Sequence, residues 1–249
     1  MNLRFGAPVL LTGFEAFGGD QGNPSAAVAK ELDGTVILGH PVVGRVLPVS
    51  MGKLRPALEE ALRAAGLDVA AGPAAGHGAD HPAGASAGSF AGSTASLPAA
   101  IISLGLAKGR AAVAVERVAI NAADFAKPDN DNATATDLPL ADDGPPAYFS
   151  TLPYRAIVGR MRGLGIPAYV SNTAGTFICN QVMYLTLHLL TGTGLGGRVR
   201  AGFIHLPADS ASVAASDEPP VASLPQAFLT EAVSAAIEVT IESFNGQGI

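Results

Sequence analysis

The sequence predicts an α/β fold: a single-domain α/β/α sandwich built on an open, mainly parallel, twisted sheet. Three observations carry this expectation. Short apolar runs of strand length alternate with amphipathic helical stretches, the order that βα units produce. Capping residues stand directly before the helical stretches and mark where each begins. No internal repeat and no linker separates two cores, so residues 1–249 are read as one domain.

The elements follow in order. Residues 9–12 form a buried strand. Asn23 caps a helix that opens on Pro24, where a missing N–H costs nothing, and runs to about Leu32. Residues 36–38 and 45–49 read as strands, and Ser50 caps a helix that repeats Leu54, Leu58 and Leu62 on one face. Residues 70–98 are nearly all Ala, Gly, Ser and Pro. They lack the periodicity needed to bury a face and read as a surface insertion. Residues 101–104 and 112–118 are strands, 153–161 a helix, 168–171 a strand, 179–190 a helix and 200–205 a strand. The last helix starts at Ser223 or Pro225 and aligns Phe228, Leu229, Val233, Ile237 and Ile241.

Composition narrows the function. The 249 residues carry a formal net charge of -6, which gives no electrostatic reason to bind nucleic acid. The single cysteine excludes an internal disulfide framework and suits a reducing cytosol. Neither a signal-peptide core nor an apolar stretch of membrane-spanning length is present, so a cytoplasmic protein without membrane partners is expected.

That cysteine, Cys179, lies between a predicted strand and a predicted helix, after Thr173-Ala174-Gly175-Thr176-Phe177-Ile178. A helix N-terminus offers unpaired N–H groups and the positive end of the macrodipole, both favourable to a thiolate. The alternative is a small buried hydrophobe. A nucleophilic cysteine needs a base and a group to orient that base. Of the histidines, His205 ends the apolar run Ala201-Gly202-Phe203-Ile204 just before Leu206-Pro207, where a parallel sheet presents its site. The strand before Cys179 is expected to deliver the thiol to the same edge. His188 lies on the Cys179 helix at a spacing that turns it away from the thiol, and His40 reads as a turn residue.

Glu116 supplies the candidate third group. A carboxylate inside Val113-Ala114-Val115-Glu116 is costly unless paired. Its partner is either His205 or a nearby arginine, Arg110 or Arg117. Asn121 is a candidate buried hydrogen-bonding residue nearby. Gly18-Gly19 follows neither a Walker nor a dinucleotide-binding pattern. His77, Asp80 and His81 offer metal donors within the insertion, but without further ligands no metal site is read from them.

Four segments together resemble the pyrrolidone-carboxylate peptidase (pyroglutamyl peptidase I) family of cysteine peptidases. They are Leu10-Leu11-Thr12-Gly13-Phe14-Glu15-Ala16-Phe17-Gly18-Gly19 with Asn23-Pro24-Ser25; 105–110 with Glu116-Arg117-Val118-Ala119-Ile120-Asn121 and Pro128-Asp129-Asn130; 173–180 with Tyr184; and Gly202-Phe203-Ile204-His205-Leu206-Pro207. The resemblance implies one peptidase domain over residues 1–249 and hydrolysis of the amide after an N-terminal pyroglutamyl residue. Cys179 is then the nucleophile, His205 the base and acid, and Glu116 the residue orienting His205. Phe14 and Phe17 flank the pyrrolidone ring, Asn23 belongs to the same loop, and backbone groups of Phe177 and Ile178 bond the lactam. No metal or organic cofactor is implied. The partners implied are peptides with an N-terminal pyroglutamate, and the assembly a homo-oligomer, dimer or tetramer.

Such a pocket fits a flat, neutral lactam and rejects a free N-terminal ammonium, which it would bury unpaired. Three features depart from the family pattern. Within one motif Leu106 and Lys108 replace the family's glutamine and a glycine, Ala126 stands where the family has arginine, and the 70–98 stretch is additional. The side chains lost at Leu106 and Ala126 motivate the rival reading, a weakened or redirected homologue that binds blocked peptides or small acyl amides. The insertion is either a tolerated surface loop or a lid, since the strand after it leads into the 105–110 loop.

Overall fold

The computed structural model describes residues 6–69 and 97–245. The central sheet has seven strands: β1 (Val9–Phe14), β2 (Val36–Ile37), β3 (His40–Leu47), β4 (Ala100–Leu106), β5 (Val113–Glu116), β10 (Ala168–Ser171) and β11 (Arg200–Leu206). Their spatial order is β10-β5-β11-β4-β1-β3-β2. The pairs β1·β3, β1·β4, β4·β11 and β5·β10 are parallel, whereas β5·β11 and β2·β3 are antiparallel. The sheet is therefore mixed, with parallel pairs in the majority.

Five main helices cover it. On one face lie α2 (Met51–Ala64) and α4 (Ile178–Gly192), packed through Leu54, Leu58, Leu62, Val182 and Met183 on Leu10, Ile101 and Phe203. On the other lie α1 (Pro24–Leu32), α3 (Tyr154–Gly163) and α6 (Gln226–Asn245), packed through Val28, Ile157, Met161, Leu229 and Val233 on Val9, Leu11, Ile102 and Ile204. Alternate residues of each strand thus feed two separate cores, as the pleat requires. The predicted caps form: Asn23 accepts from Ser25 N at 3.1 Å and Ser50 from Lys53 N at 3.1 Å.

Several expectations need correction. The strand predicted over 112–118 breaks at Arg117, whose N–H bonds Ser171 O and whose carbonyl accepts from Ser150 N. The chain then starts β6 (Val118–Ile120), which pairs with β9 (Ala147–Phe149) instead of the central sheet. A second small ladder joins β7 (Ala123–Phe125) to β8 (Ala135–Leu138), and a third joins β12 (Ala208–Asp209) to β13 (Ser223–Leu224), with the short α5 (Ser210–Ala214) between them. At two to four residues each, these strands are too short to carry a readable alternation. Phe228 is 44% exposed and lies off the buried stripe of α6, one residue and about 100° from Leu229. Most of the 70–98 insertion, with His77, Asp80 and His81, lies outside the described residues. Its last residues, Leu97 and Pro98, pack against the body.

Candidate active site

Strands β1, β4 and β11 run parallel, so their C-terminal ends bring together the loop after Phe14, the Gly105–Leu106 segment and His205. Cys179 arrives by a different route from the one expected. Strand β10 is parallel to β5, and β5 is antiparallel to β11, so β10 runs away from this edge and ends level with Phe203. The loop over residues 172–177 reverses the chain, turning at Gly175 with φ +83°. Thr176 anchors it, its hydroxyl donating to Asp124 O at 2.6 Å while its carbonyl accepts from Asp124 N. Asn180 fixes the helix that follows. Fully buried, it accepts from Ile120 N and donates to Ile120 O and Ala122 O, at 2.9–3.0 Å.

Cys179 is the second residue of α4, in the turn whose N–H groups have no intrahelical partner. Its thiol sits over Gly105. A Cβ built at Gly105 would come within 2.9 Å of Cys179 Sγ and 2.7 Å of the Phe203 ring, so only glycine leaves this seat open. Gly105 is the register partner of His205 on the neighbouring strand, and the His205 ring packs edge-on to Phe203 at 4.7 Å. The thiol makes no hydrogen bond to His205 in this conformation. Loose nucleophile–base geometry is common before substrate binds.

Glu116 is 0% exposed and His205 6%. Glu116 pairs across the sheet with Phe203, two positions from His205 on the same face, which brings its Oε1 to 2.7 Å from His205 Nδ1. A carboxylate only accepts, so Nδ1 carries the proton and Nε2 is left as the basic nitrogen. The same Oε1 takes Arg110 Nη1 at 3.1 Å, while Oε2 has no partner among the described residues. Both sequence alternatives for Glu116 are therefore realised at once, with Arg110 as the arginine; Arg117 lies over the Tyr154 ring instead.

Burial pushes the Cys179 thiol up to about 12, Glu116 adds to the rise, and Arg110 opposes it.

A cavity of about 190 Å³ opens beside the thiol, lined by Phe14, Phe17, Asn23, Phe177, Ile178 and Cys179 among others. That is below the ~300–1,000 Å³ of drug-sized sites and suits one small ring. Phe17 and Phe177 stand 5.1 Å apart, and Phe125 meets Phe177 edge-on at 4.7 Å. Phe14 is almost wholly buried. Asn23 lines the cavity, but its side chain is committed to Ser25 and to Glu15 O. Phe177 O accepts the helical bond from Gln181 N, whereas Ile178 N–H, the first of the helix, has no intrahelical partner.

Sequence reasoning gave no role to Arg110, Phe125, Lys127 or Asn180 beyond naming Arg110 as an alternative partner of Glu116. Lys127, next to Ala126, holds its Nζ 4.5 Å above the Phe17 ring and lines the cavity, as do Leu106 and Lys108. A cation beside the missing arginine was readable in the sequence; its direction was not. Asn121 is half-buried instead of buried, and its side chain bonds the backbone of residues 140, 141 and 144. The remaining described histidines stand apart. His40 Nδ1 bonds Ala7 O at 2.7 Å, and His188 bonds Tyr148 Oη at 3.0 Å. Among the described residues no cluster of metal ligands occurs, and no helix is long and apolar enough to cross a membrane.

The chain is similar to known proteins along most of its length. A family model described as pyroglutamyl peptidase matches residues 7–79 and 93–243, leaving 80–92 of the insertion between the matched stretches. A pyrrolidone-carboxylate peptidase of Klebsiella pneumoniae (strain 342) is 42% identical over 235 residues, 94% of this chain and 93% of its own. One of Pyrococcus furiosus is 39% identical over 94% of this chain and 98% of its own. The crystal structure of pyrrolidone carboxyl peptidase from that hyperthermophile superposes with a TM-score of 0.77 at 38% identity, covering 95% of this chain and 99% of the other. With the matched residues spanning the sheet, the Cys179 helix and the His205 strand, the chain belongs to the pyroglutamyl peptidase family.

Proposed function

We propose that the protein is a cysteine exopeptidase that hydrolyses the amide bond after an N-terminal pyroglutamyl residue. The observation that carries the reading is the seating of Cys179 over Gly105, level with a histidine whose other nitrogen is held by buried Glu116. His205 Nε2 takes the thiol proton as Cys179 Sγ attacks the pyroglutamyl carbonyl carbon. Free N–H groups of the first α4 turn face the oxygen that becomes negative. The tetrahedral intermediate collapses, the C–N bond breaks, and His205 returns the proton to the departing amine. Water, deprotonated by His205, then attacks the thioester; pyroglutamate leaves and the thiol is restored.

The lactam ring occupies the cavity between Phe14, Phe17 and Phe177. A ring with no ammonium charge suits these apolar walls, and the Lys127 ammonium at the rim disfavours a free N-terminus. The reading also carries a cytoplasmic homo-oligomer, a dimer or tetramer. Light scattering at micromolar concentration would return a monomer mass if that part is wrong.

The test is release of a fluorogenic amine from pyroglutamyl, prolyl and alanyl amides, with Cys179→Ser run in parallel. Selective, Cys179-dependent cleavage of the pyroglutamyl amide is expected. Folded, reduced protein that cleaves none of them would shift the assignment to the redirected homologue, and restoring glutamine at Leu106 and arginine at Ala126 would be the next variants.

A further inference from the structure

A second cavity, of about 300 Å³, adjoins the first and shares Asp20, Gly22, Leu106 and Lys108 with it. Leu106 pairs in register with Leu206, the residue after His205, and the chain then runs through Pro207 into Asp209 and α5, which form the far wall. The two cavities differ in sign. The charged residues lining the first are Asp20, Lys108 and Lys127; those lining the second are Asp20, Asp209, Asp217 and Glu218 against Lys108 alone. Lys108 lies on the boundary, bonded to Asp20 at 2.8 Å and Glu218 at 3.0 Å. Asp209 caps α5 through Ser212 N, and Asp217 has no ion-pair partner among the described residues.

Given the peptidase reading, on which this inference rests, the first cavity holds the lactam and the amine departs on the side of His205, which protonates it. We propose that the second cavity is the subsite for the peptide beyond the scissile bond and that it selects cationic residues there. A lysine or arginine side chain in the first or second position after pyroglutamate meets the carboxylates of Asp217, Glu218 and Asp209. An acidic side chain meets the same charges with the opposite sign. The boundary lysine keeps that negative field out of the lactam pocket by holding Asp20 and Glu218. Because the carboxylates of Asp217 and Glu218 are exposed, the discrimination is moderate and weakens in salt.

The experiment compares kcat/KM for pyroglutamyl-arginine amide, pyroglutamyl-alanine amide and pyroglutamyl-glutamate amide, with a pyroglutamyl coumarylamide as reference. Wild type and the double variant Asp217→Asn, Glu218→Gln are assayed at low and high ionic strength. The expected order is arginine, alanine, glutamate, spanning about ten-fold at low salt and shrinking in about 0.5 M salt. The arginine-to-glutamate ratio should fall toward one in the double variant. Equal rates on all three amides, with the coumarylamide cleaved, would overturn the subsite and leave the peptidase reading intact. A preference that survives both substitutions would overturn the assignment of these carboxylates. Failure to cleave even the coumarylamide would instead remove the reading on which the subsite rests.

Discussion

The two faces of the central sheet are built from the same strands and have opposite characters. Toward α1, α3 and α6 the strands present Val9, Leu11, Ile102, Leu104, Val113, Val115, Ile204 and Leu206, all apolar and fully buried. Toward α2 and α4 they present Leu10, Ile101 and Phe203, but also Thr12, Ser103, Glu116 and His205. These buried side chains bond one another: Thr12 donates to Ser103 Oγ at 2.9 Å, and Glu116 Oε1 holds His205 and Arg110. Strand β11 shows the division within three residues, with His205 on one face and Ile204 and Leu206 on the other. One face is packed for stability; the other gives up apolar burial to hold an ionisable pair beneath a thiol.

This contrast can be broken from either side. The largest expected effect comes from Cys179→Ala and His205→Ala, which should lower kcat on a pyroglutamyl amide by about 10⁴-fold or more while the thermal midpoint stays within a few degrees. Residual activity of several per cent in either variant would remove the mechanism. Glu116→Gln keeps the shape but no longer holds the imidazolium, so kcat should drop about 10²–10⁴-fold with a smaller change in KM. On the other face, Ile204→Ala should cost about 2–5 kcal/mol in urea unfolding, with the rate per folded molecule retained. If Ile204→Ala abolished catalysis in protein that remains folded, the division between the faces would be wrong.

Two smaller effects sharpen the electrostatics. Arg110 opposes the Glu116 charge at the thiol, so Arg110→Gln should move the pH profile of Cys179 alkylation upward and reduce kcat about ten-fold. An unmoved profile would confine Arg110 to packing. The raised thiol also links to stability. The unfolded thiol ionises near 9 and the folded one near 12, so the stabilisation is complete below pH 9 and lost as pH rises through 12. The urea midpoint of wild type should therefore fall relative to that of Cys179→Ala over that window.

Much of this was legible in the sequence because it is local. Caps at Asn23 and Ser50 are written in adjacent residues, and the buried strands announce themselves as apolar runs between turns. The candidate triad was legible through residue type, since a carboxylate in Val113-Ala114-Val115-Glu116 and a histidine ending an apolar strand are both costly without a purpose. The short ladders over residues 118–149 were not legible, because their pairing is non-local and their alternation too brief. Strand direction was hidden too: β5 and β10 look like any parallel strand, and only the sheet shows them reversed against β11.

The sequence by itself determined the element order, the helix starts, the residue types available for catalysis and the family resemblance. These depend on neighbours within a few positions or on long motifs in sequence. The tertiary structure alone decided that Glu116 bonds His205 and Arg110 through one oxygen, that Gly105 seats the thiol, and that Lys127 points at Phe17. It also separated an aromatic pocket from an acidic one across Lys108. All but the Arg110–Glu116 bond join residues far apart in the chain, and a contact of that kind exists only once register, strand direction and helix packing have been fixed together.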